Sequence, residues 1–188
     1  MKRGFKTEAE RLSVGFRQKL GLLPAEALPA RRLAEHLQVV LLVPEAIPGI
    51  KQGDARLLSR MSTPFSAAVL PVDGRHLIIH NPSHSDARQE SDLMHELAHI
   101  ICGHKATGVD TSLGAPLLAY DRRHEEEANY LGGSLQVPRE ALMKKLLRGM
   151  TRDQIAEFYG ASLDLVKYRI NITGAERQIM RWRRNQQG

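Results

Sequence analysis

Apolar residues recur along this chain with two periods, and the switches between them mark out its elements. Ala9, Leu12, Phe16 and Leu20 fall three and four apart, which predicts an opening amphipathic helix from Thr7 to Leu20 that Gly21 ends. Thr7-Glu8-Ala9-Glu10 has the pattern of a capping box at its start. Pro29 opens a second helix through Leu33, Ala34 and Leu37, and the unbroken run Val39-Val40-Leu41-Leu42-Val43 predicts a strand. Ala67 to Val72 and His76 to His80 are two further strands flanking Asp73-Gly74, a hairpin signal. Helical period returns at Leu93, Met94, Leu97, Ala98, Ile100 and Ile101, with no Pro or Gly until Gly103 stops it. Arg122 to Gly133 reads as another helix, and a helical tail follows. Val43 to Asp54 and Lys105 to Tyr120 contain Gly and Pro and are expected to be connections. The whole is an α+β pattern. With 188 residues the chain has room for one real core, expected over residues 1–138, with a basic helical segment over 139–188 packed on it.

On the helix that ends at Gly103 stands His95-Glu96-Leu97-Ala98-His99. Residues four apart on a helix lie one above the other, so His95 and His99 can grip one ion between them. Glu96, the next residue round, is placed to take a proton from a water whose pKa the ion lowers and to return it to a leaving amine. Shuffling the chain's own composition produces such a pattern about 2 per cent of the time, so its helical setting matters more than the motif alone. Zinc needs a third protein ligand and a fourth position left for water. An elongated motif would require Gly at Cys102 and His at Lys105, so that class is excluded. The other usual source is a downstream acidic helix, and Arg122 to Gly133 supplies Glu125, Glu126 and Glu127. Glu125, Ala128, Asn129 and Gly132 share a face whose small residues favour close helix approach, so Glu125 is preferred, Glu127 stays open as a substitute, and Asn129 is expected to steady a ligating histidine. Glu126 reads as a solvated helix start. Cys102 is read as a small packing residue rather than a fourth ligand, since a closed site blocks chemistry.

Taken with Glu125-Glu126-Glu127-Ala128-Asn129 and the closing Gln136-Val137-Pro138, the HExxH motif resembles the ImmA/IrrE family of bacterial and phage metallopeptidases. The resemblance extends to the opening helix, to the strand pair from Ser66 to Pro82 ending in Asn81-Pro82, to Arg88 ahead of the motif, and to a helical segment from Thr151 to Gly174. It departs from the family at Leu131-Gly132-Gly133, where Phe is common, and at Gln136, where an aliphatic is usual. It implies a zincin-like core, with a small antiparallel sheet packed on the two helices. It also implies Zn2+ held by His95, His99 and Glu125, with Glu96 as catalytic base. The implied substrate is a protein, a helix-turn-helix repressor in a regulatory or stress system.

Charge changes the picture only in the tail. Residues 1–138 hold 16 Lys/Arg and 16 Asp/Glu, whereas residues 139–188 hold 11 and 5, so the whole formal charge of +6 lies in the second segment. Gln154 to Val166 has the spacing of a helix-turn-helix, with Gly160 at the turn and Ser162 as a cap. Lys167, Arg169, Arg181, Arg183 and Arg184 are the candidate phosphate contacts of a DNA-binding alternative, in which the metal is structural or sensory. Binding as a toxin-antitoxin partner is a third reading. No apolar stretch has signal or membrane-spanning length, which makes a cytoplasmic location the expectation. His104, His124, Tyr120, Tyr130 and Arg88 are alternative stabilisers of a developing oxyanion, and sequence does not choose among them.

Overall fold

A computed structural model describes residues 1–47, 49–60, 65–72, 75–110 and 117–186, the side chains of 71, 72, 109, 110, 117, 183 and 186 excepted. The chain forms α1 (Phe5–Lys19), α2 (Ala30–His36), β1 (Val40–Leu42), α3 (Gln52–Leu58), β2 (Ala67–Val72), β3 (Arg75–His80) and α4 (Asp86–Cys102). There follow β4 (Gly108–Asp110), β5 (Leu117–Ala119), α5 (Arg122–Gln136), α6 (Arg139–Leu147), α7 (Arg152–Tyr159), α8 (Leu163–Thr173) and α9 (Ala175–Gln186). It is a mixed α+β fold, mostly helical. The turn expected at Asp73-Gly74 lies outside the described residues.

The sheet is mixed, not antiparallel as expected. Its order is β1-β3-β2, with β2 antiparallel to β3 (Ala67 opposite His80) and β1 parallel to it (Val40 opposite Leu77). Parallel neighbours need a long crossover, and α3 and β2 supply it. Part of the segment read as a plain connection is therefore structured, and so is part of the next, where β4 pairs with β5. Side chains alternate across the sheet: Val69 and Ile78 join the main core, while Ala68 and Ile79 meet Leu58 and Phe65 on the other face.

The main core gathers Phe16, Leu33, Ile78, Leu93, Met94, Leu97, Leu131 and Leu135, so α1, α2, the sheet, α4 and α5 share one apolar centre. A second cluster, including Leu142, Ile155, Val166 and Ile170, holds the C-terminal helices together. Thr151 and Gln154 form a capping box on α7, Gly160 turns the chain at φ 57°, and Ser162 Oγ accepts the Leu165 N–H to start α8. The box expected at Thr7 does not form. Gly4 at φ 82° starts α1 earlier, and Thr7 N–H donates to the Gly4 carbonyl at 3.1 Å.

Two buried arginines join these layers at the end of α5, whose last carbonyls lack helical partners. Arg17 donates to the carbonyls of Leu135 and Glu26 and to Ser13. Arg169 donates to the Val137 carbonyl and to Glu10, and its guanidinium lies over the Tyr130 ring. Glu10 also accepts from Ser134 Oγ and the Arg139 N–H, so one carboxylate ties α1, α5, α6 and α8.

Candidate metal centre

The spacing expected to converge does so in space. His95 and His99 project from α4 one turn apart, with their Nε2 atoms 3.1 Å from each other. Glu125, in the first turn of α5, brings Oε2 to 3.2 Å from His95 Nε2 and Oε1 to 3.5 Å from His99 Nε2. All three ligand atoms lie within 4.8 Å of one another, and among the described residues this is the one such group of three. Two imidazole nitrogens and one carboxylate suit a borderline divalent ion. The arrangement is local in origin. Asp121 caps α5 by accepting the His124 N–H at 2.8 Å, which fixes where the first turn points Glu125.

The two helices meet at a glycine. A Cβ on Gly132 would sit 3.0 Å from the Met94 carbonyl oxygen and 3.2 Å from His95 Cα, both backbone atoms of α4. A methyl there would crowd the α4 backbone, and the close approach that glycine allows lets the Glu125 side chain reach two histidines on the facing helix. Asn129, one turn beyond Glu125, lines the same cleft as His95, and its side chain helps raise that imidazole.

Electrostatics within the cluster follow from burial and from the crowding of charge. Burial, reinforced by the carboxylate of Glu125, pushes the Glu96 carboxyl up to about 7, against the charge of His95 and a hydrogen bond from the Val69 N–H. Burial, then the neighbouring charge of His95, draws His99 down to about 3 and keeps it neutral. His95 is also pulled down by burial, but the hydrogen bond to Glu125 and the charge of Glu96 outweigh this and raise it. The hydrogen bond from His95 holds Glu125 below its ordinary value despite burial.

Beside His95 a cleft of about 180 Å³ opens between α4, α5 and α8, lined by Asp92, His95, Asn129, Gly132, Gln136 and Leu165. A larger cavity of about 850 Å³ lies between α1 and the C-terminal helices and includes none of the cluster's side chains. Among the oxyanion alternatives, Tyr130 bonds Glu10, and Arg88 is held by Ser66 Oγ and Asp92. Tyr120 stacks on His99 with ring centroids 3.8 Å apart, and burial, with the charges of Glu96 and Glu125, pushes its phenol up to about 12. Its hydroxyl therefore stays a donor.

Glu127, left open from sequence, is turned away from the ion-sized group. It is buried, accepts the Lys2 N–H at 2.7 Å, and lies 3.3 Å from His104 Nε2. His104 lies against His99, not at the open side of the group. No spacing in the sequence announces either contact. Gly103, in the left-handed region at φ 61°, folds the chain back so that His104 meets the helix end it has just left. Cys102 packs at the edge of the main core, and burial pushes its thiol up to about 11.

The tail offers only some of the phosphate contacts that the DNA-binding alternative names. Arg169, a candidate phosphate contact of the DNA-binding alternative, is fully buried and committed to Glu10 and Val137, because α8 turns that side chain toward α5. Lys167 is exposed but paired with Asp164 at 3.2 Å. Arg181 and Arg184 are exposed on α9, and the Arg183 side chain lies outside the described residues. Among the described residues no helix is long and apolar enough to cross a membrane.

A histidine pair and a carboxylate on two packed helices, with a glutamate next to the first histidine, form a group that could hold a metal ion. The model of the IrrE N-terminal-like domain of peptidase family M78 matches residues 51–171, and the chain belongs to this family. No curated protein and no solved structure matches the chain.

Proposed function

We propose that this protein is a zinc-dependent endopeptidase, with zinc held by His95, His99 and Glu125 and Glu96 as the catalytic base. The observation that carries the reading is the convergence of these three ligand atoms within 4.8 Å beside a carboxyl pushed up to about 7. When bound, zinc supplies a Lewis acid for the scissile carbonyl and acidifies a water. Glu96, next to the first ligand on α4, accepts the proton and delivers it to the departing amine. Tyr120 donates to the developing oxyanion from its place against His99. Asn129 holds the His95 ring in position.

The resemblance to ImmA/IrrE metallopeptidases extends the proposal to its substrate: a helix-turn-helix repressor in a bacterial or phage regulatory system, met in the cytoplasm. The core is proposed to be zincin-like, over residues 1–138. The α7–Gly160–α8 unit supports a helix-turn-helix-like shape in the segment 139–188, but Arg169 is unavailable to phosphate and Lys167 is paired. DNA binding, or partner binding of toxin-antitoxin type, is therefore the less favoured reading.

Elemental mass spectrometry of wild type, Glu125→Ala and Glu127→Ala tests the site. Near-stoichiometric zinc that is lost chiefly in Glu125→Ala is expected. Glu96→Gln is expected to keep zinc and lose cleavage of a repressor encoded beside the peptidase. A wild type that takes up no zinc when it is offered overturns the reading.

A further inference from the structure

On the reading of the site given above, we propose that Glu127 and His104 form a positioning chain that fixes the tautomer of His99 and presents its Nε2 lone pair to the ion. The chain is continuous. Glu127 Oε2 lies 3.3 Å from His104 Nε2, His104 Nδ1 lies 3.1 Å from His99 Nδ1, and His99 Nε2 faces His95 and Glu125. All three side chains are buried, with 2%, 4% and 1% of their surface exposed for Glu127, His104 and His99.

Hydrogen-bond capacity gives this chain a direction. A carboxylate only accepts, so the proton between Glu127 and His104 belongs to His104 Nε2. A neutral imidazole carries one N–H, which leaves His104 Nδ1 as an acceptor. His99 must then supply its proton from Nδ1, and its Nε2 is left bare, the form that ligates a metal. Nε2 of His95, 3.1 Å away, is the matching donor when no ion stands between them.

The chain is held at both ends and along its faces. The Lys2 N–H donates to Glu127 Oε1 at 2.7 Å, occupying the oxygen that His104 does not use. Tyr120 stacks on His99, and His124 stacks on His104 with centroids 4.4 Å apart and planes inclined by 19°. Gly103 makes the geometry possible, because its left-handed turn lets the His104 N–H reach the His99 carbonyl at 3.1 Å and sets the two rings against each other. A buried carboxylate without such partners is costly, so Glu127 is placed for this role rather than left over from a solvated run.

Two substitutions separate positioning from packing. His104→Phe keeps a ring but removes both nitrogens, whereas His104→Gln restores an acceptor toward His99 and a donor toward Glu127. Zinc affinity, read by chelator competition, is expected to fall roughly 10–100-fold in His104→Phe and to recover in large part in His104→Gln. Unchanged affinity in His104→Phe, or equal losses in both variants with lower thermal stability, overturns the chain. Should His104→Phe fail to fold, nitrogen-15 NMR of the histidines in zinc-loaded wild type decides. Protons on His104 Nε2 and His99 Nδ1 are expected, and a His104 protonated on Nδ1 overturns the proposal. Wild type without zinc, or Glu125→Ala binding it as tightly as wild type, overturns the site itself and the chain with it.

Discussion

At the scale of single residues, the site sets burial against charge, and Glu96 carries most of the tension. Its carboxyl is raised from an ordinary 4.5 to about 7, burial being the first cause. A raised value means that the folded, metal-free protein prefers the protonated acid. That contribution to stability is complete below the ordinary value and is lost as pH rises through about 7. Glu96→Gln removes the penalty, so the metal-free variant is expected to exceed wild type in stability by about 1–3 kcal/mol at pH 8 and by much less at pH 4.5. Urea unfolding at the two pH values checks this, and an equal difference at both would refute the burial account. His95, Glu96 and His99 were legible in the sequence because helical spacing alone relates them. Glu125 was legible because it shares a face with Ala128 and Gly132. The partners of Glu127 were not, since one of them is a main-chain amide 125 residues away and no local pattern encodes such a contact.

At the scale of elements, the decisive contact is that of α4 with α5, the most extensive between any two elements described. Gly132→Ala tests it through opposing effects. Alanine favours a helix over glycine by up to about 1 kcal/mol, which would stabilise α5 in isolation. The added methyl instead meets the Met94 carbonyl at 3.0 Å, where backbone cannot swing aside. Overpacking should prevail, with a net loss of about 1–3 kcal/mol and weaker zinc binding, measured by thermal unfolding and chelator competition. A stabilised variant would mean that the helices part without cost. The existence of β1, β2 and β3 was also legible, from an apolar run and a hairpin signal, whereas β4 and β5 fell in a stretch whose Gly and Pro read as a connection. Strand order was not, because the pairing of β1 with β3 depends on what lies between them, and a run such as Val39 to Val43 does not specify its neighbour.

At the scale of the whole molecule, the ligand helix is tied at its far end by side chains from both ends of the chain. Arg17 from α1 and Arg169 from α8 take the carbonyls that α5 leaves open, and Glu10 gathers Arg169 with Ser134 and the Arg139 amide. Charge asymmetry in the sequence pointed Arg169 outward because a sum over a segment does not see direction. Arg169→Ala is expected to destabilise the protein by about 3 kcal/mol, since it takes the cationic partner from the Glu10 carboxylate, leaves the Val137 carbonyl without its donor and opens a void beside Gly133. Chemical denaturation reads this, and a change below about 0.5 kcal/mol, as for an ordinary surface position, would contradict it. The helices after residue 150 therefore do not detach from the site at no cost to it. The contact of Lys2 with Glu127 has another consequence. The hydrogen bond is made by the main chain, so any residue with an N–H can donate it, while the Lys2 charge adds its own pull on the Glu127 carboxylate. Proline alone lacks the hydrogen. Position 2 thus answers, through its main chain, for the orientation of a histidine on α4.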